Sequence, residues 1–261
     1  MPGRVTEGGR YRVQVLDRTL QILDLLAQSD CDLGPSELGE KLALHRSTTH
    51  RLLKVLERHQ LIRKSQVEGK YGLGIKLFEL GSRVVSQSDL GTRSQGVLRR
   101  LVDAAGETAH VCVLNEADMV SVANIEGPWT LRTPSTVGRR TPLYCTSVGK
   151  VLLAYLPKAE QARLLDRVKL VRRTRRTITT RAALETELQL IRRRGFGMDN
   201  EEIEEGLRCV GAPIFNHRGD VVAAISVAGP VFRVTKQRLP EIVRAVKRAA
   251  RDLSHDLGYR P

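Results

Sequence analysis

The stretch LALHRSTTHRLLKVLERHQLI, residues 42 to 62, constrains this chain more than any other. It reads as a helix with two unlike halves. The first is dense in Arg, Ser, Thr and His, and the second carries a Leu/Val stripe. At about 100° per residue, Leu52, Val55 and Leu56 gather on one side, with Leu53 and Thr49 at its edge. Arg46, Ser47, His50, Arg51, Lys54 and Arg58 gather on the other. Such a helix buries one face and presents a band of donors on the other.

The flanking segments suggest what the band is for. VQVLDRTLQILDLLAQ, residues 13 to 28, puts Val13, Leu16, Leu20, Leu23 and Ile22 or Leu26 at helical spacing. A short helix follows, with Pro35 in its first turn, Glu37 near its positive end, and Leu38, Leu42 and Leu33 as its apolar stripe. After the polar helix, LIRKSQVEGKYGLG alternates, and Glu68 with Gly69 fits a hairpin tip. Three short helices and a hairpin describe a winged helix-turn-helix, whose third helix enters the major groove with its N-terminal residues. Residues 41 to 70 hold eight Lys or Arg against two Glu, a local net of +6 within the chain's +14. A double-stranded DNA operator is the expected partner. Arg46, Ser47, Thr48, His50, Arg51 and Lys54 are the candidate reading residues, because Arg and Lys donate to guanine edges or phosphates, and Ser and Thr to either. His50 and Arg51 fit phosphate contacts equally, and Arg58, two turns along, fits a phosphate or open solvent. In the wing, Arg63, Lys64 and Lys70 fit backbone or minor-groove contacts, or ordinary hairpin-edge charges.

Composition narrows the choice further. A chain of 261 residues has room for two modest domains. Aromatics at 4% argue against a base-stacking platform for single strands. The four cysteines at 31, 112, 145 and 209 have no metal-ligand or redox spacing and read as scattered small core residues of a reduced protein. No metal and no cofactor is expected. No apolar run approaches a membrane span, and MPGRVTEGGR has no apolar signal core. Residues 1–10 read as a disordered tail, and the expected location is cytoplasmic.

Beyond the wing, GIKLFELGSRVVSQS restarts a helical pattern, read as a linker helix at 75–88. Its Ile75, Leu77, Phe78, Leu80, Val84 and Val85 are more apolar surface than one short helix hides, which predicts a partner helix from a second chain. DLGTRSQGVLRRLVDAAG then opens a second domain with a helix that Asp89 can cap and Gly106 can end. HVCVLN, MVSVANI, LRCVGAPIF and DVVAAISVAG read as strands, with NHRG as the connection between the last two. Helices are interleaved at 147–157, at 182–195 and near 235–257. With no βαβ rhythm, this is an α+β domain on an antiparallel sheet. The expected domains are 11–74 for the winged helix, 75–88 for the linker and 89–261 for the second domain.

Enzyme motifs are missing. There is no G-x-S-x-G and no complete phosphate-cradling loop, and the six histidines lack zinc spacing. Cys145, near a helix start, is a candidate for a lowered pKa but has no His adjacent in sequence. Glu201, Glu202, Glu204 and Glu205 read as a solvated acidic loop. RVKLVRRTRR, residues 167 to 176, has six Lys or Arg and no acid. It reads as a solvated loop, or as a contact to flanking DNA or to a partner subunit's acidic patch.

The residues now carry a recognisable pattern. VLDRTLQILDLL, SELGEKLALHRSTTHRLLKVLERHQLI and YGLGIKLFELG resemble the winged helix of IclR-type transcriptional regulators. TPLYCTSVGKVLLAYLP, RRRGFGMDNEEIEEGLRCVGAPIF and VVAAISVAGPVFRVT resemble that family's effector-binding domain, so the likeness spans residues 11 to 259. The resemblance implies a second domain similar to GAF and PAS sensors, with a small-molecule pocket on one face of its sheet. It implies operator binding as a homodimer or homotetramer, and effectors that are small organic acids or aromatic metabolites. Carried over by the resemblance, the effector residues are Thr133, Thr141, Ser147, Val148, Asp199, Leu207, Cys209, Ser226 and Ala228. The family often has Ser at the position of Ala228, a departure that removes one hydroxyl. Read directly, Thr146 to Lys150 form a turn into a helix start whose N–H groups can hold a carboxylate. Ser226 alternates with Ile225 and Val227, while Cys209 and Ser226 also fit satisfied core positions. The expected function is a regulator whose operator binding responds to such an effector, and not an enzyme. The alternatives are a GAF-like ligand-converting enzyme with a DNA-binding appendage, and a ligand-independent DNA-binding protein.

Overall fold

The computed structural model describes residues 13–66, 69–87, 89–134 and 136–260, without the side chains of 82–89. The expected tail at 1–10, Glu68 at the hairpin tip, the Val84 and Val85 side chains and the Asp89 cap lie outside the described residues. Two compact units, Met1–Val84 and Val85–Pro261, divide the chain inside the stretch expected as a linker helix.

The first unit runs α1 (Gln14–Gln28), α2 (Pro35–Lys41), α3 (Arg46–Arg58), β1 (Ile62–Lys64), β2 (Tyr71–Leu73) and α4 (Ile75–Gln87). The polar helix starts at Arg46 and not at Leu42, because the chain turns first. Ala43 adopts φ 50°, the Leu44 N–H donates to Gly39 O at 2.8 Å, and the His45 side chain caps α3 by accepting from the Ser47 N–H. Gly39 lies at the crossing of α2 and α3, where a Cβ would stand 3.2 Å from both Leu44 O and Thr49 Oγ1. That close crossing draws Thr49 fully inside, its hydroxyl satisfied by His45 O. The buried face of α3 therefore centres on Thr49, Leu52, Leu53 and Leu56, and Val55, expected inside, is 45% exposed. On α1 only Ile22 and Leu26 are buried, while Val13, Leu16 and Leu20 stay about half exposed. These side chains of α1 and α3 meet Leu33, Leu38, Ile62 and Tyr71 in one small core.

The second unit opens with α5 (Asp89–Ala105), ended by Gly106 at φ 70°. It continues through β3 (Thr108–Asn115), β4 (Asp118–Ile125), β5 (Arg140–Pro142), α6 (Ser147–Tyr155), α7 (Lys158–Arg167) and α8 (Arg181–Arg194). β6 (Gly197–Asn200), β7 (Leu207–Phe215), β8 (Val221–Pro230) and α9 (Leu239–Asp256) complete it. Its six strands form one antiparallel sheet in the order β5-β4-β3-β8-β7-β6. β5, β6 and α7 were not anticipated. The two strands are too short to show a period, and α7 buries only Leu164 and Leu165.

Alternation on the strands sorts the sheet into two faces. Val111, Val210, Ala212, Ile225 and Val227 point to α5 and α9. Cys112 and Ala224 point to the core built by α6, α7 and α8. Cys112, Cys145 and Cys209 are buried as expected of small core residues, but Cys31 is exposed.

Candidate functional site

On α3, Arg46, Ser47, His50, Arg51 and Lys54 are exposed, and Thr48 is half-buried. Ser47 Oγ lies 2.8 Å from His45 Nδ1 and so belongs partly to the helix cap. Among the described residues, no ion pair engages Arg46, Arg51 or Lys54. The wing differs, since Arg63 pairs with Asp32 at 3.3 Å and Lys64 with Glu57 at 3.6 Å, while Lys70 is half-buried. Arg46, Arg51 and Lys54 thus stand unpaired along the outer face of α3, where phosphates and base edges can reach them.

In the second unit, a cavity of about 140 Å³ lies on the α6 side of the sheet. Thr133, Thr141, Ser147, Val148, Asp199, Leu207, Cys209, Ser226 and Ala228 all line it, brought together from six separate segments. His110, Cys112, Ser121, Arg139 and Glu204 line it as well and were not foreseen. The floor follows from strand register: His110 pairs with Ser226, and Cys209 with Ala228, all on one face. One wall is the start of α6. Thr146 Oγ1 accepts from the Gly149 N–H at 3.1 Å, and helix geometry leaves the Ser147 and Val148 N–H groups without intrahelical acceptors. Two paired glycines let this turn sit on the sheet. A Cβ at Gly197 would stand 2.6 Å from Ser147 O, and one at Gly211 3.2 Å from the Val148 N.

Three buried oxygens on the cavity residues, Ser121 Oγ, Thr141 Oγ1 and Asp199 Oδ2, have no hydrogen-bond partner in the protein. Buried polar atoms are seldom left so. Asp199 is fully buried, and its Oδ1 accepts from the Glu202 N–H at 2.7 Å. Burial pushes its carboxyl up to about 7, helped by the charge of Glu202 and opposed by the Glu202 N–H and by Lys150. Burial and the nearby Arg139 take His110 down to about 4, so its ring is neutral at pH 7.

The two halves of the chain have separate counterparts among known proteins. The family described as bacterial transcriptional regulator IclR C-terminal matches residues 82–255, and the IclR helix-turn-helix domain matches residues 15–66. The chain belongs to the IclR family. The HTH-type transcriptional regulator KdgR of Escherichia coli is 38% identical over 228 residues, covering 87% of each chain. The regulator XynR of the same species is 36% identical over 247 residues, covering 95% of this chain and 98% of XynR. Among solved structures, Thermotoga maritima IclR superposes with a TM-score of 0.79 at 32% identity, covering 95% of this chain and all of that one. This IclR-family chain is a DNA-binding transcriptional regulator and not an enzyme, in line with the regulators it resembles. No helix among the described residues is long and apolar enough to cross a membrane.

Two expectations change within this IclR fold. Burial pushes the Cys145 thiol up to about 11, the reverse of activation. The acidic run is not wholly solvated: Glu202 is buried and donated to by the fully buried Lys150 of α6. The basic stretch keeps all six of its Lys and Arg exposed, as a solvated loop does, and is anchored to that run. Thr174 Oγ1 donates to Glu201 O at 2.6 Å and Thr177 Oγ1 to Glu202 O at 2.7 Å, while Arg176 and Arg175 pair with Glu201 and Glu205. Lys150 was overlooked, although the sequence holds a signal for it. A lone cation inside the apolar run SVGKVLLAYL must find a buried acid.

Proposed function

We propose that this regulator binds a double-stranded operator through α3 and the wing, and that a small organic carboxylate in the cavity of the second unit alters that binding. The supporting observation is the convergence of donors on one small cavity. It combines the Ser147 and Val148 N–H groups with the Ser226, Thr133 and Thr141 hydroxyls, around an apolar lining of Cys112, Leu207 and Ala228. A few aimed polar groups in an apolar cleft are what small-ligand sites consist of. The carboxylate accepts from the α6 N–H groups and Ser226, and the rest of the ligand, aliphatic or aromatic, packs on the apolar lining. In this reading, residues 11–74 contact DNA, 75–88 link, and 89–261 sense the effector. The working species is a homodimer or homotetramer acting in the cytoplasm. Ile75 and Phe78 of α4, 63% and 70% exposed, offer the apolar surface for a second copy. Ligand binding changes operator affinity when it favours one arrangement of the copies over the other.

Footprinting on the regulator's own upstream DNA, with and without a panel of small carboxylates, tests this. Asp199→Ala and Ser226→Ala are expected to keep the footprint and lose the response. Both variants responding at the wild-type ligand concentration would place the effector elsewhere.

A further inference from the structure

The cavity holds an acid, Asp199, that forms no ion pair among the described residues, although the charge of Lys150 reaches it. Lys150, the buried lysine beneath the cavity, donates to Glu202 Oε1 and lies 4.0 Å from Glu187 Oε1. Glu187 is in turn held by Arg194 at 2.6 Å. Two cations thus face two carboxylates, and the set is balanced without Asp199. The other groups around Asp199 add no positive charge beside it. Burial pushes the Cys209 and Cys145 thiols up, which keeps both neutral, and His110 across the cavity is neutral. Arg173, Arg139 and Glu204 are exposed, Arg139 and Glu204 at the cavity, and neither arginine pairs with Asp199 among the described residues. Asp199 Oδ1 takes the Glu202 N–H, the Ile203 N–H and the Cys209 thiol also lie against the carboxyl, and Oδ2 faces the cavity with no partner within hydrogen-bond distance.

We propose that Asp199 acts as a neutral acid, donating the proton on Oδ2 to the carboxylate of the effector, and that Lys150 keeps it in that state by pairing with Glu202 instead. The proposal rests on the carboxylate reading above and goes beyond it, to the charge state the site selects. Two carboxylates in contact at a buried position do not readily both ionise, so they share one proton. When Asp199 is ionised in the free protein, the proton comes from the buffer on binding, and no other bond changes. A lysine aimed at Asp199 would instead leave a fixed negative charge that repels the ligand. Lys150 and Glu202 are thus positioning residues for a specificity they do not touch.

The orientation of Asp199 makes a clean test possible. In Asp199→Asn, Oδ1 continues to accept from the Glu202 N–H, so Nδ2 stands where Oδ2 stood and donates without titrating. The probes are acetate, lactate and benzoate, measured by calorimetry above neutral pH in two buffers of different ionisation enthalpy. Wild type is expected to take up a fraction of a proton, approaching one as pH rises, for each probe bound. Asp199→Asn is expected to bind within about threefold of wild type and take up none, whereas Asp199→Ala binds about tenfold or more weakly. Glu202→Gln turns Lys150 toward Asp199, and probe affinity is expected to fall by about tenfold while the operator footprint, a check on folding, persists. Probe binding without proton uptake, or loss of binding in Asp199→Asn, overturns this inference alone. Binding of none of the probes to wild type overturns the carboxylate reading together with it.

Discussion

Arg46, Arg51 and Lys54 stand in solvent with no ion-pair partner among the described residues, whereas Asp199, Ser121 and Thr141 each keep an unpaired oxygen inside the second unit. Both sets are polar groups without a protein partner, but the cost differs. On α3, water hydrates the cations and nothing is lost. In the cavity an unpaired buried oxygen costs about 1–3 kcal/mol. An unpaired surface cation therefore says little until the helix that carries it is placed in a helix-turn-helix. An unpaired buried oxygen points to a ligand where it lies on a cavity, as these three residues do and Glu202, whose Oε2 is also unpaired, does not.

Lysines from the two regions give the largest expected contrast. Lys150→Met leaves Glu202 buried without its cation and is expected to cost about 3–5 kcal/mol in urea unfolding. Lys54→Met on the exposed face is expected to stay within about 0.5 kcal/mol of wild type. Similar losses would erase the distinction.

The pH dependence of stability sharpens the picture of the cavity. Asp199 goes from 3.8 when unfolded to about 7 when folded, so between these values the native state holds a proton that the unfolded chain has lost. Its contribution is present at low pH and lost as pH rises toward about 7. His110 goes from 6.5 to about 4, so its contribution is lost as pH falls through that window. The two slopes oppose each other. Asp199→Asn leaves the His110 slope alone, and stability of that variant is expected to climb between about pH 4 and 6.5 more steeply than in wild type. Parallel curves for the two proteins would remove Asp199 from the account.

Operator affinity reads the other region. Arg46→Ala or Arg51→Ala is expected to cost about 1–3 kcal/mol and to relax specificity at one operator position, with unfolding unchanged. Wild-type affinity after both changes would leave α3 an ordinary solvated face. The smallest effect separates free from paired cations. Lys54→Gln is expected to lower the salt slope of operator binding by about one. Arg175→Gln with Arg176→Gln, already paired to Glu205 and Glu201, is expected to leave it unchanged. A fall in slope for that pair would revive a DNA contact for the basic stretch.

How far each region could be read in advance follows from the same contrast. The donor band on α3 lies within thirteen consecutive residues and repeats with the helical period, so periodicity exposed it. Its phase was less legible. Thr49 and Val55 exchanged places because Gly39, on another helix, set where α3 could approach. Around the cavity no local pattern exists. Thr133, Ser147, Asp199 and Ser226 were reached through a family likeness, and His110 and Ser121 were not reached at all. Neighbouring strands bring them together, and nothing along one strand marks them.

What the sequence determined by itself was whatever depends on residues a few positions apart: the helical and strand periods, the polar band of α3, the antiparallel α+β class. What only the tertiary structure decided was which charges are dry and which are paired. Lys150 and Glu202 are far apart in the chain, and Asp199 is three residues from Glu202 yet outside that ion pair. Water screens a charge wherever it meets it, so a surface residue keeps much the same character in any fold. A buried charge takes its character from its neighbours, and chain distance carries no information about who they are.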